Sequence, residues 1–249
     1  MAYDANATPN IPPRYSVSWW IWGNAIPATP IESTPQLVSN PPPEVQSNSE
    51  ALLLEAGCEK SSSYDVQCAQ DSPLKAFDCF FMTDPREIYF KPTEDFSLVA
   101  GCDIWTEDWE NPPEGTIYIS GCAFKFSQGY IFKTNEKYVL IDTIEKLNDL
   151  FLPIDSTTKA LSYALMRTGL HAYFDFSYDP ILLYLQDSIE GTHIIEDAGG
   201  FVMNLYHSQS CGCEPLITSK VDIRVDRSGK ITWTAAAPVY MTTGYSCAD

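Results

Sequence analysis

Eight cysteines are the residues of this sequence with the most evident chemistry, and their spacing sorts them into two groups. Cys58, Cys68, Cys79, Cys102 and Cys122 fall in the middle of the chain, whereas Cys211, Cys213 and Cys247 lie towards its end. Cysteine at this density points to disulfides and an oxidising compartment. Cys211 and Cys213 flank a single glycine, too close to bond each other without strain, so Cys247 is the expected partner of one of them. The five middle cysteines would supply the other pairs, and eight cysteines allow about 105 connectivities. The plainer alternative, ranked second, is that some are buried inert thiols.

His207, Cys211 and Cys213, with Cys247 as a fourth donor, are soft ligands of the kind zinc or copper takes. Their His-x3-Cys-x-Cys spacing matches no strong structural-zinc pattern, so a metal site ranks behind disulfides and no cofactor is assigned. Asp103, Trp105, Glu107, Asp108, Trp109 and Glu110 precede Asn111-Pro112-Pro113-Glu114-Gly115 and read as an acidic aromatic loop. Clustered carboxylates suit Ca²⁺, which takes about 6–8 oxygens, so a divalent cation is one partner class. The tryptophans could instead stack on a sugar or a peptide. Trp105, Glu107, Asp108 and Trp109 are therefore the expected binding residues, set against an exposed loop whose tryptophans fold back on the core.

Catalysis finds little support. His171, His193 and His207 lie on or beside expected strands, where packing explains them cheaply. Nucleophile-elbow, Walker, dinucleotide and His-Glu-x-x-His motifs are all missing from the sequence. Carboxylate pairs such as Asp175 with Asp179, or Glu107 with Glu110, arise by chance among 33 acidic residues. No catalytic residue is assigned. The sequon Asn6-Ala7-Thr8 is followed by Pro9, which weakens it as a glycosylation site.

These residues are positioned by elements of three kinds. Residues 1–50 hold nine of the 18 prolines and read as an extended arm. Within it, Tyr15–Trp22 alternates as a strand, and Trp19, Trp20 and Trp22 are expected to dock on a partner or on the body. Residues 51–141 read as a β-rich, cysteine-bearing region. A short helix runs from Ser49 to Ala56 and stops at Gly57. Strands are expected at Glu87–Lys91, Thr116–Ser120, Ala123–Ser127, Tyr130–Lys133 and Tyr138–Ile141, with a hairpin tip at 135–137.

Residues 142–249 read as helix followed by meander, with or without the preceding region in one domain. Asp142 and Glu145 resemble a capping box for a helix through Phe151, ended by Pro153. Ser156 or Asp155 caps a helix over Thr157–Thr168, with Gly169 as its stop. Strands follow at His171–Phe176, Thr192–Glu196, Phe201–Tyr206, Thr218–Asp226 and Lys230–Ala236. Val221, Ile223 and Val225 face one way and Lys220, Asp222 and Arg224 the other, before a turn at Asp226–Gly229. The expected class is α+β: a mostly antiparallel sheet carrying one main helix in its C-terminal half.

Bulk composition narrows the partners. A net charge of −18 repels nucleic acid and anionic membranes. No stretch of about 20 apolar residues would span a bilayer. The chain is long enough to bury a core without crosslinks, so the cysteines speak of compartment more than of stability. Met1–Asn6 does not read as a secretory leader. The expectation is a non-enzymatic, extracytoplasmic or secreted, disulfide-reinforced binding or surface protein. One alternative is a structural subunit of a particle or filament, intracellular or virion-borne, that docks or self-assembles through the arm. The other is a hydrolase with a carboxylate or metal site.

Overall fold

The computed structural model describes residues 29–44, 48–62, 65–93, 95–108, 112–122, 124–135, 137–208 and 216–242. Two antiparallel sheets and three short helices make up most of this structure, as the α+β reading expects. The smaller sheet joins β4 (Phe81–Thr83), β5 (Ser97–Trp105), β7 (Phe126–Lys133) and β6 (Ile119–Ser120), and β8 (Tyr138–Ile141) also pairs with β7. The larger has the order β11 (Ile194–Asp197), β12 (Gly200–Ser208), β13 (Leu216–Val225), β14 (Ile231–Thr242) and β9 (Leu182–Tyr184).

Between them runs α3 (Thr157–Thr168). Ser156 caps it by accepting from the Lys159 amide, and Gly169 ends it with a left-handed φ of 67°. The position allows no Cβ, because the Tyr118 ring stands where one would go. Every residue from Ala160 to Met166 is buried, so this helix is covered all round rather than on one stripe. One core takes in Leu98, Tyr130 and Phe132 from the small sheet, α3, and Phe201, Met203, Leu205, Val221, Ile223 and Val225 from the large one. Tyr130 ties the layers together by donating its hydroxyl to the Met166 carbonyl at 3.1 Å. α2 (Ile144–Phe151) adds Leu147 and Phe151 to the same core. Its N-cap is Thr143, which accepts from the Lys146 amide; Asp142, the expected cap, sits one residue earlier and pairs with Lys146.

A second core lies on the other face of the small sheet. α1 (Ser49–Glu55), β2 (Cys58–Lys60) and β3 (Val66–Cys68) pack there against Val99, Ala100, Cys102 and Ile131. Within it, the Asp84 carboxylate is fully buried and held by Lys60 at 2.7 Å and the Ser49 hydroxyl at 3.3 Å.

A third, aromatic core forms on the outer face of the large sheet around Tyr184, Ile189, Tyr206 and Val239. The proline-rich segment reaches it. β1 (Gln36–Val38) pairs in parallel with β10 (Ser188–Glu190), and Ile31 and Leu37 pack against the tyrosines. The Asn40 amide donates to the Phe174 carbonyl at 2.8 Å and its side chain to that of Gly191 at 2.8 Å. Asn204, buried on β12, fixes the neighbouring chain through the Glu190 and Gly191 carbonyls and the His193 amide. The aromatic strand expected at Tyr15–Trp22 lies outside the described residues.

Three strand expectations are corrected. Glu87–Lys91 forms a 3-10 turn over Arg86–Ile88, and Tyr89 follows at a left-handed φ of 55°, which no strand accommodates. Of the segment expected at Ala123–Ser127, Phe126 and Ser127 open the same strand as Tyr130–Lys133, β7, while Phe124 and Lys125 precede it. His171–Phe176 is extended but joins no ladder: its hydrogen bonds go to Tyr206, Thr192 and Asn40.

Candidate functional site

The disulfide-bearing end of the small sheet carries the most distinctive surface among the described residues. Cys58 bonds Cys68 across the β2–β3 pair, and Cys79 bonds Cys102, fastening the approach to β4 onto the middle of β5. Cys122 is disulfide-bonded as well. Among the described residues no cysteine is free. Cys211, Cys213 and Cys247 lie outside them, so the expected bridge from Cys247 is neither met nor excluded.

Antiparallel register stacks the side chains of one face into rows. Trp105 stands opposite Phe126, and Asp103 opposite both Gln128 and Phe81. Phe80 prolongs the β4 edge, its amide donating to the Asp103 carbonyl at 2.7 Å. Phe124 arrives from the turn between β6 and β7. That turn requires glycine at 121, where φ is 96° and a Cβ would strike the Phe124 carbonyl.

Five rings therefore meet. Phe126 is the buried hub, with centroids at 5.2 Å from Phe80, 5.7 Å from Phe81 and 5.7 Å from Trp105. Phe80 also touches Phe81 and Trp105, and Trp105 touches Phe124 at 5.5 Å. The outer four remain 54, 51, 43 and 63% exposed for Phe80, Phe81, Trp105 and Phe124. Single exposed aromatics are ordinary; these four form one contiguous, mutually packed group. No family model, curated protein or solved structure matches the chain.

Beneath this platform the same face turns polar and then dry. The Tyr118 hydroxyl donates to the Gln128 side-chain oxygen at 3.1 Å, and the Gln128 amide donates to the Gly129 and Cys102 carbonyls. Asp103 sits half-buried beside them, and desolvation raises its carboxyl above the usual range despite the hydrogen bond from Gln128. Burial likewise raises Tyr118 and Tyr130, which keeps both phenols neutral and fit to donate.

The residues expected to bind fall in different places. Trp105 belongs to the platform, but on the last residue of a nine-residue strand rather than in a loop. Glu107 and Asp108 follow it on the surface; Trp109 lies outside the described residues, as do Trp19, Trp20 and Trp22. Sequence reading missed Phe80, Phe81, Phe124 and Phe126, which contact Trp105 or one another only once β4, β5 and β7 are paired. The Cys79-Phe80-Phe81 adjacency was the available signal, since a disulfide pins what stands next to it.

Among the described residues, no three histidine, cysteine or acidic side chains are placed to hold a metal. His207, the proposed metal donor, is half-buried on β12; burial first and the neighbouring His171 second hold its imidazole down to about 4. Its companions Cys211 and Cys213 lie outside the described residues. No described helix is long and apolar enough to cross a membrane.

Proposed function

We propose that this chain is an extracytoplasmic, disulfide-reinforced binding protein that seats its partner on the aromatic platform of Phe80, Phe81, Trp105 and Phe124. The observation that carries the reading is the exposure of four packed rings on a sheet end crosslinked by Cys79–Cys102. Rigid aromatic rings give large contact area at small conformational cost, which is why they anchor interfaces. Disulfides in a chain long enough to fold without them fit an oxidising compartment.

The test uses oxidised full-length protein on glycan and peptide arrays, alongside a Phe80→Ala/Trp105→Ala variant with unchanged circular dichroism. A ligand retained by the parent and lost by the variant supports the proposal. If every captured ligand is held equally by both, the platform is not the site. Mass spectrometry of native material showing free thiols at Cys79 and Cys102 would remove the extracytoplasmic assignment.

A second reading draws on the proline-rich segment, which adds β1 to β10 as a strand. In a particle or filament subunit, the arm would dock on a neighbour. Deleting residues 1–28 and finding an unchanged oligomeric state by light scattering would set this reading aside.

A further inference from the structure

We infer that the platform's partner is a protein segment bearing arginine or lysine in extended conformation, a proposal that rests on the platform being the binding site. Three features of the surface point this way. First, the rings lie among carboxylates: Asp78 is two residues before Phe80, Asp103 is opposite Phe81, and Glu107 and Asp108 follow Trp105. Lys125 is the nearby cation by sequence, and its ammonium is turned onto the Gly121 carbonyl at 2.7 Å. Aromatic faces attract cations, tryptophan most strongly, and flanking carboxylates add to that pull. Asp103, stripped of part of its water by burial, gains more from an arriving cation than a fully hydrated carboxylate does.

Second, the outer rings form an open patch around Phe126, joined in one run of contacts. Neighbouring centroids at 4.7, 5.6 and 5.5 Å carry the line from Phe81 through Phe80 and Trp105 to Phe124. Such a run reaches at most about 16 Å, the length of roughly five residues of extended chain. Alternate side chains of that segment, about 7 Å apart, would meet the platform at two or three points along this length. Third, a second copy of this chain is a poor occupant, because each carries a net charge of −18 and the acids crowd the contact itself.

The probe is a fluorescein-labelled decapeptide of alternating arginine and serine, with a counterpart in which citrulline replaces every arginine. Citrulline keeps the planar side chain and its length but carries no charge. Fluorescence anisotropy is read on the oxidised full chain at low ionic strength and again at 0.15 M salt. The arginine peptide is expected to bind at least tenfold more tightly than the citrulline peptide. Phe80→Ser/Trp105→Ser, which leaves the net charge untouched, is expected to weaken it about tenfold, from the loss of two cation–ring contacts. Glu107→Gln/Asp108→Asn is expected to weaken it a few-fold and to flatten the salt dependence.

Equal binding of the two peptides, still lost with the rings, overturns the cationic partner while leaving the platform as the site. Binding that ignores the ring substitutions is ionic attraction to an acidic chain and overturns both proposals. Self-association that competes with the peptide and vanishes with the rings replaces the cationic segment by a second copy.

Discussion

Replacing Cys79 and Cys102 by alanine is the perturbation whose size follows most directly from the structure. The bond closes a span of 23 residues, and Cys58–Cys68 closes one of 10. In the chain-entropy account, releasing the first frees the unfolded chain by about 3.4 kcal/mol at 25 °C and releasing the second by about 2.7 kcal/mol. Each pair also removes one buried sulfur, Cys102 on β5 or Cys58 on β2, so a similar packing penalty adds to both and the span decides the difference. The expected order is therefore Cys79→Ala/Cys102→Ala below Cys58→Ala/Cys68→Ala by about 0.7 kcal/mol, and both below the parent. For a chain of this size, a urea slope of about 3 kcal/mol/M turns the larger effect into a midpoint shift of about 1 M. Urea titration followed by circular dichroism measures it, with tryptophan emission reporting the platform. A reversed order, or a shift below about 0.3 M for the longer span, would refute the assignment of Cys79–Cys102 as the principal brace of this surface.

Two further outcomes are expected. Lys60→Met leaves the buried Asp84 carboxylate without its ammonium partner, so unfolding free energy should fall by about 3 kcal/mol at neutral pH; adding Asp84→Leu should recover much of it. Chemical denaturation of the three proteins checks this, and an unaffected single variant would contradict the ion pair. His207 titrates near 4 in the fold against about 6.5 when unfolded, so the unfolded chain takes up the proton first. The stability it confers is whole above about pH 6.5 and is lost as the pH falls through about 4. Its size is about 1–2 kcal/mol once partial exposure is allowed for. His207→Gln should flatten that limb of the stability–pH profile.

Local chemistry made the C-terminal half legible. The alternation of Val221, Ile223 and Val225 and the Asp226–Gly229 turn specify β13 and its hairpin, since register and turn residue agree there. Ser156 and Gly169 bracket α3 for the same reason: cap and stop are short-range effects. β5 was opaque. Its Gly101 and Asp103 interrupt the apolar pattern, and their reason lies on other strands: Gly101 makes room for the Thr83 hydroxyl, and Asp103 meets Gln128. The aromatic platform was hidden likewise, because Phe80, Trp105 and Phe124 are separated in sequence and joined by pairing alone. Tyr89 misled the reading of 87–91, since a bulky residue at positive φ is a tertiary outcome that no propensity anticipates.

The seating of the proline-rich segment bears on the order of events during synthesis. Its contacts run to residues far downstream: Asn40 bonds Gly191, 151 positions later, and β1 pairs with β10. A ribosome adding about 5–20 residues per second exposes this segment for about 8 to 30 seconds before its docking strand exists. Over that interval its prolines cannot offer the amide donors that a stray strand edge would capture. The composition that keeps the segment from folding early also keeps it available, so that residues 29–44 are among the last to find their place.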